Sequence, residues 1–214
     1  MNLAASIEIY ASGTSEGVRK AWDTRGRGRH TDVQKHIAAH ERAFPAILGK
    51  FKTAVGGMGV VDGRVKTLDS LTEKLTRKNK TLDQIGDTIG LRLTTSDIPT
   101  VYRALDALHK DFTVTKVDDR IAKPADGVYR ALHLDAEVGG KKIEIQLRTS
   151  NQTKLADYMH PLYKNKELGK TGMLMRSYLK KLSVALYRED SGQKAVLPDC
   201  PPPIAKTVGC FTRE

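Results

Sequence analysis

The sequence predicts an α+β domain in which a mixed β-sheet is flanked by helices. Two segments, DTIGLRLTT and KKIEIQLRT, alternate apolar and polar residues with the period of two that a strand requires. The pair Gly139-Gly140 joins YRALHLDAEV to KKIEIQLRT and marks a hairpin turn. Around these strands lie segments with helical spacing of apolar residues. The resulting order (helix, strand, helix, strand, strand, helix, helix) is that of an α+β domain.

Residues 1–60 read as a basic leader followed by N-terminal helices. The first 30 are expected to be weakly structured, ending in Arg25, Arg27 and Arg29 separated by glycines. Such a run is either a solvated segment or a contact for RNA or phosphate. From Thr31 to about Ala54, Val33, Ile37, Ile47, Leu48 and Phe51 set a helical pattern that Pro45 is expected to interrupt. VGGMGVVDG reads as a glycine-rich linker. It is no phosphate loop, because no Gly-Lys-Ser/Thr follows.

The central domain is expected over residues 61–190. From Arg64, RVKTLDSLTEKLTRK reads as a helix with Leu68, Leu71 and Leu75 as its core stripe. Lys66, Ser70 and Lys74 form a second stripe, and Arg77 and Lys78 end the segment. SDIPTVYRALDALHKDF is a helix with Ser96 or Asp97 at its cap, Pro99 in its first turn and Val101, Leu105 and Leu108 inward. Helices around 151–164 and 171–187 follow; His160 and Lys164 share a face with Ala156 and read as architectural. A tail over 191–214, containing DCPPP, is expected to be irregular.

Composition narrows the partners. The chain has 214 residues and a formal net charge of +11, which favours an anionic ligand. No run approaches the roughly 18 apolar residues of a membrane span, so no membrane partner is expected. The start, MNLAASIEIYASG, lacks a charged n-region and a long apolar h-region. A cytoplasmic location is expected, which includes delivery into a target cell's cytoplasm by a route needing no signal peptide. Cys200 and Cys210 are expected to be ordinary thiols, and they cannot build a four-ligand zinc site.

The polar faces of the strands carry the chemistry. In KKIEIQLRT, Ile143, Ile145 and Leu147 share one side, and Glu144, Gln146 and Arg148 share the other. Alone, that second side reads as a wet sheet surface. DTIGLRL repeats the design with Gly90 and Arg92, while Tyr129, Ala131 and His133 share a face in YRALHLD. Together these residues describe a floor for a phosphorylated, base-bearing ligand. Arg64, Lys66, Ser70 and Lys74 add a cationic row; alone it would be a solvated helix face. A triphosphate needs several such cations and usually a divalent ion held by carboxylates. Asp87 and Glu144 are the expected ligands, provided the strand starts after Asp87.

These residues carry a resemblance. The blocks RVKTLDSLTEK, DTIGLR, DDRIAKPADGVYRALH, EIQLRT and ADYMHPLYK stand in order from Arg64 to Lys164. They resemble the synthetase domain of the RelA/SpoT family, ATP-dependent pyrophosphokinases that make alarmone nucleotides. The resemblance implies the RelA/SpoT synthetase fold, which is nucleotidyltransferase-like. It implies ATP held by Arg64, Lys66, Ser70, Lys74 and Arg92, and Mg²⁺ held by Asp87 and Glu144. Glu144 would also accept the proton of the attacking 3′-hydroxyl. Tyr129 would stack on the acceptor base, supported by His133, Gln146 and Arg148.

The dipeptide His-Asp occurs nowhere in the chain, so the hydrolase motif of the family is absent. The chain is similar to small, synthesis-only members, including toxic ones, and a toxin implies an acidic immunity or antitoxin partner. Val128 stands where a glycine usually precedes the tyrosine, and Ala125 where a lysine is often found. The implied acceptor is therefore ADP or ATP as well as GDP or GTP. Pyrophosphorylation of the tRNA 3′ end and a catalytically inactive RNA-binding module are the alternatives.

Overall fold

Apolar alternation in the central strands builds one buried sheet face, and the rest of the chain arranges itself on either side of it. The computed structural model describes residues 16–164 and 172–213, with side chains over 31–160 and 172–213. Helix α1 (Glu16–Val55) leads into strand β1 (Val60–Val65), and helix α2 (Leu68–Lys78) follows. After a single 3-10 turn come β2 (Ile89–Thr95), α3 (Ile98–Asp111) and β3 (Thr113–Asp119). The hairpin β4 (Leu132–Val138) and β5 (Lys141–Thr149) precedes α4 (Ser150–Lys164), α5 (Gly172–Asp190) and α6 (Pro202–Val208).

The five strands lie in the order β1-β2-β5-β4-β3, with β2 and β5 parallel and every other pair antiparallel. The expected α+β class with a mixed sheet is what forms. Ile89, Leu91, Leu93, Ile143, Ile145, Leu147 and Leu134 fill one face. They pack against Ile47, Phe51 and Val55 of α1 and Val101, Ala104 and Leu108 of α3. Full burial of each large aliphatic side chain contributes about 1.5–3 kcal/mol. The opposite face stays largely free of apolar cover. A second core joins α4, α5 and α6 through Leu155, Met159, Leu179, Leu182, Leu186, Ile204 and Phe211, and takes in Val128. A third, made by Val33, Ile37, Leu71 and Ile85, seats α2 on α1.

Several expectations are corrected. Helix α1 begins at Glu16, inside the stretch read as weakly structured; residues 1–15 and the side chains of Arg25, Arg27 and Arg29 lie outside the described ones. Pro45 does not interrupt it. Proline removes one helical hydrogen bond, and the neighbouring Ile47 and Phe51 keep their burial in the core. The glycine-rich stretch after α1 is no linker beyond Gly59, for VVDGRV is strand β1. A Cβ on Gly63 would stand 2.8 Å from Leu91 and 3.3 Å from Leu48 and Phe44, so this glycine permits close approach of β1 to the core.

The helix read from Arg64 starts at Leu68, where the Thr67 hydroxyl caps the Ser70 N–H. Arg64 belongs to β1 and Lys66 to the connection. Strand β3 was absent from the expected order; it is an edge strand with little burial on either side, so its apolar signal is faint. The hairpin turn is as expected, with Gly139 and Gly140 both at positive φ, 54° and 70°.

Cys200 and Cys210 are not free thiols but a disulfide, with Cα atoms 5.8 Å apart. The tail is irregular except for α6, which lies between the two cysteines and folds the segment back on itself. Ile204 and Phe211 bury on α4 and α5, where Phe211 meets Tyr158 edge-on. No helix among the described residues is long and apolar enough to cross a membrane.

Candidate active site

Register turns the strand-by-strand alternation into a floor. One cross-strand row runs Arg64, Gly90, Glu144, Asp135 and Lys116 across β1, β2, β5, β4 and β3. The adjacent row, two residues along, runs Asp62, Arg92, Gln146, His133 and Asp118. Thr94 and Arg148 begin a third. Because side chains repeat every second residue, all of them project from the face opposite the core. Gly90 leaves a gap in the first row: nothing lies within 4 Å of where its Cβ would be. Arg64 and Glu144 therefore flank open space.

Asp87 sits two residues before β2, so the condition on its direction is met. Its Oδ2 accepts from Lys66 Nζ at 2.8 Å and from Lys74 Nζ, while Lys66 also donates to the Asp87 carbonyl at 2.9 Å. Burial pushes the Asp87 carboxyl up, but the two ammonium groups outweigh it and hold the carboxyl below its ordinary range. Its other oxygen, Oδ1, is buried without a hydrogen-bond partner. Ser70 is exposed on the first turn of α2, with its backbone N–H in the cap.

Glu144 is half-buried. His133 Nδ1 stands 3.7 Å from Oε1, an ion-pair separation too long for a hydrogen bond, and Gln146 donates to Oε2 at 2.9 Å. His133 and then Gln146 hold the carboxyl below its ordinary value, against burial and the negative charge of Asp87. Glu144 is thus ionised at neutral pH.

Tyr129 stands in the loop before β4. Its hydroxyl meets His133 Nε2 at 2.9 Å and accepts from Arg148, which also donates to Gln146 Oε1 at 2.6 Å. The guanidinium of Arg148 lies 5.1 Å from the ring centroid. Burial pushes the Tyr129 hydroxyl pKa up, so the phenol stays protonated. Val128, the residue in the usual glycine position, has its side chain buried in the second core and no positive φ. It therefore does not crowd the ring of Tyr129.

The sequence-predicted residues fall into two groups. Arg64, Arg92, Glu144, Gln146, Arg148 and His133 share one sheet face, Tyr129 meets that face through His133 and Arg148, and Lys66 and Lys74 meet at Asp87 just before β2; Ser70 stands exposed on α2, one turn before Lys74. His160 is exposed on α4, and the Lys164 side chain lies outside the described residues. Sequence reasoning missed Arg120 and Asp118. Arg120 donates to Asp118 Oδ2 at 2.9 and 2.6 Å and lies 6.0 Å from the Tyr129 centroid. The signal was the charged triplet Asp118-Asp119-Arg120 at the end of an alternating segment, TVTKVDD.

Known proteins resemble this chain in sequence and in fold. Residues 63–168 match the family described as the region found in RelA and SpoT proteins. The bifunctional (p)ppGpp synthase/hydrolase RelA of Mycobacterium tuberculosis is 34% identical over 121 residues, 53% of this chain and 16% of that protein. This chain thus spans less than a fifth of the length of that curated relative. Two solved structures from Bacillus subtilis resemble it along most of their lengths. Small alarmone synthetase 2 is 26% identical with a TM-score of 0.62, covering 74% of this chain and 94% of its own. Small alarmone synthetase 1 bound to its product pppGpp is 26% identical with a TM-score of 0.61, covering 75% and 93%. With the floor and the cationic residues lying inside the matched region, residues 63–168 of this chain are a region of the RelA/SpoT family.

Proposed function

We propose that this protein transfers the β,γ-pyrophosphate of ATP to the 3′-hydroxyl of a purine nucleotide. The observations that carry the reading are Asp87, held by Lys66 and Lys74 just before β2, and Glu144, which stands on the neighbouring strand beside the Gly90 gap with Arg64 and Arg92 on the same sheet face. Relatives named for (p)ppGpp synthesis, and a similar structure holding pppGpp, favour a guanine nucleotide as acceptor.

The donor side is cationic. Arg64 flanks Gly90, Arg92 stands one row along, and Lys66 and Lys74 meet at Asp87, a set of cations suited to the triphosphate of ATP. Asp87 and Glu144 fit a hard divalent cation, since Oδ1 of Asp87 is buried and unpartnered. Mg²⁺ characteristically takes one or two carboxylates and completes its shell with water and substrate phosphates. Asp87 and Glu144 would hold it, and it would neutralise charge developing on the transferred phosphates.

On the acceptor side, Tyr129 stacks on the purine, with Arg120 and Arg148 beside its ring. Glu144, ionised and oriented by Gln146, takes the proton of the 3′-hydroxyl as its oxygen attacks the β-phosphorus. The bond from that phosphorus to the α–β bridging oxygen breaks, and AMP leaves. Most of the acceleration comes from positioning and charge stabilisation, since no covalent intermediate is required.

On this reading the chain acts as a toxin wherever its product accumulates. The net charge of +11 suits neutralisation by an acidic partner protein. The test is chromatography of products from ATP and Mg²⁺ with GDP, GTP, ADP, ATP or deacylated tRNA in parallel. AMP release with a 3′-pyrophosphorylated purine nucleotide is expected. No AMP release with any acceptor would overturn the proposal, and label on the tRNA end alone would replace the acceptor.

A further inference from the structure

We propose that Arg130 is a positioning residue that, with Ser183, clasps the loop presenting Tyr129; the inference rests on the acceptor role proposed for that tyrosine. The loop closes where the Arg120 N–H donates to the Ala131 carbonyl at 3.0 Å. Inside it, Ala125 and Tyr129 exchange backbone hydrogen bonds at 3.0 Å each, around a turn with Asp126 and Gly127 at φ 54° and 74°. This turn is small and could not by itself determine the direction of the Tyr129 ring.

Arg130 supplies the missing constraint. Its side chain is 9% exposed, and no carboxylate pairs with it among the described residues. Instead its Nε donates to Ser183 Oγ at 3.0 Å, its Nη1 donates to the Ile121 carbonyl, and its guanidinium lies 4.4 Å from the Tyr187 centroid. Ser183, 1% exposed on α5, donates in turn to the Val128 carbonyl at 2.7 Å. The clasp therefore grips both arms of the loop, at Ile121 and at Val128, and ties them to one helix. The Val128 side chain anchors the same arm in the second core.

Burying a guanidinium without a counter-charge is costly unless its donors are satisfied, so these contacts are demanding of geometry. Tyr129, between Val128 and Arg130, is left to face the floor and meet His133 and Arg148. Arg130 makes no contact with Asp87 or Glu144. It acts on the reaction through Tyr129 alone.

The test uses Arg130→Lys and Ser183→Ala in the full chain. Loss of a hydrogen bond to a charged group raises the acceptor KM by about tenfold or more, with the KM for ATP unchanged. Hydrogen exchange at the amides of Ala125, Val128 and Tyr129 is expected to accelerate while β2 and β5 keep their protection. Equal rises in both KM values, or faster exchange across the whole chain, would mean a merely structural role and overturn the proposal. So would unchanged exchange in the loop. If Arg130→Lys does not fold, Ser183→Ala decides. If the parent turns over no acceptor, the functional proposal falls by itself, and loop exchange still decides whether the clasp exists.

Discussion

Lys66 Nζ lies 2.8 Å from Asp87 Oδ2, while the second oxygen of the same carboxylate is buried and unpartnered. Two cations thus hold one edge of the carboxylate and leave the other edge for a ligand. Asp87→Asn removes the charge without changing the shape, and leaves Lys66 and Lys74 facing a neutral amide. AMP release is expected to fall about 10²–10³-fold, the scale seen when a charge-stabilising group is lost. Glu144→Gln should lower kcat by about 10²–10⁴-fold while nucleotide binding, followed by calorimetry, persists. An active Glu144→Gln enzyme would remove the proposed base.

Tyr129 and Arg120 separate stacking from hydrogen bonding. Tyr129→Ala is expected to raise the acceptor KM by roughly tenfold to a hundredfold, matching about 1–3 kcal/mol for a stacked base. Tyr129→Phe keeps the ring and frees only Arg148 and His133, so its effect should be smaller. Arg120→Ala removes a cation 6.0 Å from the ring. A rise of about fivefold in acceptor KM is expected, from a cation–π contribution on the order of 1 kcal/mol.

His36 gives the protein a pH dependence of known sign. Its Nε2 meets the Thr88 hydroxyl at 2.9 Å, and burial first, then His40 and Lys141, lowers its pKa to about 4. A histidine depressed in the fold takes up its proton more readily when unfolded. Its stabilising contribution is complete above about pH 6.5 and is lost as pH falls toward 4. His36→Gln keeps a polar atom for Thr88 and does not titrate. Chemical denaturation at pH 7 and pH 4 should show the variant losing less stability, by on the order of 2 kcal/mol.

The disulfide stabilises the second core. Reducing Cys200–Cys210 or substituting Cys200→Ser is expected to lower stability by roughly 2–3 kcal/mol, the range for a short closed loop. Tail amides around Ile204 and Phe211 should exchange faster, while β2 and β5 stay protected. Unchanged melting in reductant would show that the tail packing holds without the bond.

The polar side of the sheet was legible because alternation is local. Ile143, Ile145 and Leu147 had to face the core, so Glu144, Gln146 and Arg148 had to face away, whatever the strand paired with. The hairpin was equally legible, since paired glycines supply the positive φ that its turn needs. Arg120 and Asp118 were not, because β3 is an exposed edge with weak apolar contrast.

By itself the sequence determined the α+β class, the polarity of each central strand and the set of cations near the glycine gap. Only the tertiary structure decided which strands are neighbours, and hence that Gly90 lies between Arg64 and Glu144. It also decided that Lys66 and Lys74 converge on Asp87, that Arg130 reaches across to α5, and that Cys200 meets Cys210. The physical reason is range. Side-chain direction follows from the backbone period within a few residues, whereas register, helix docking and cross-linking depend on packing between segments distant along the chain.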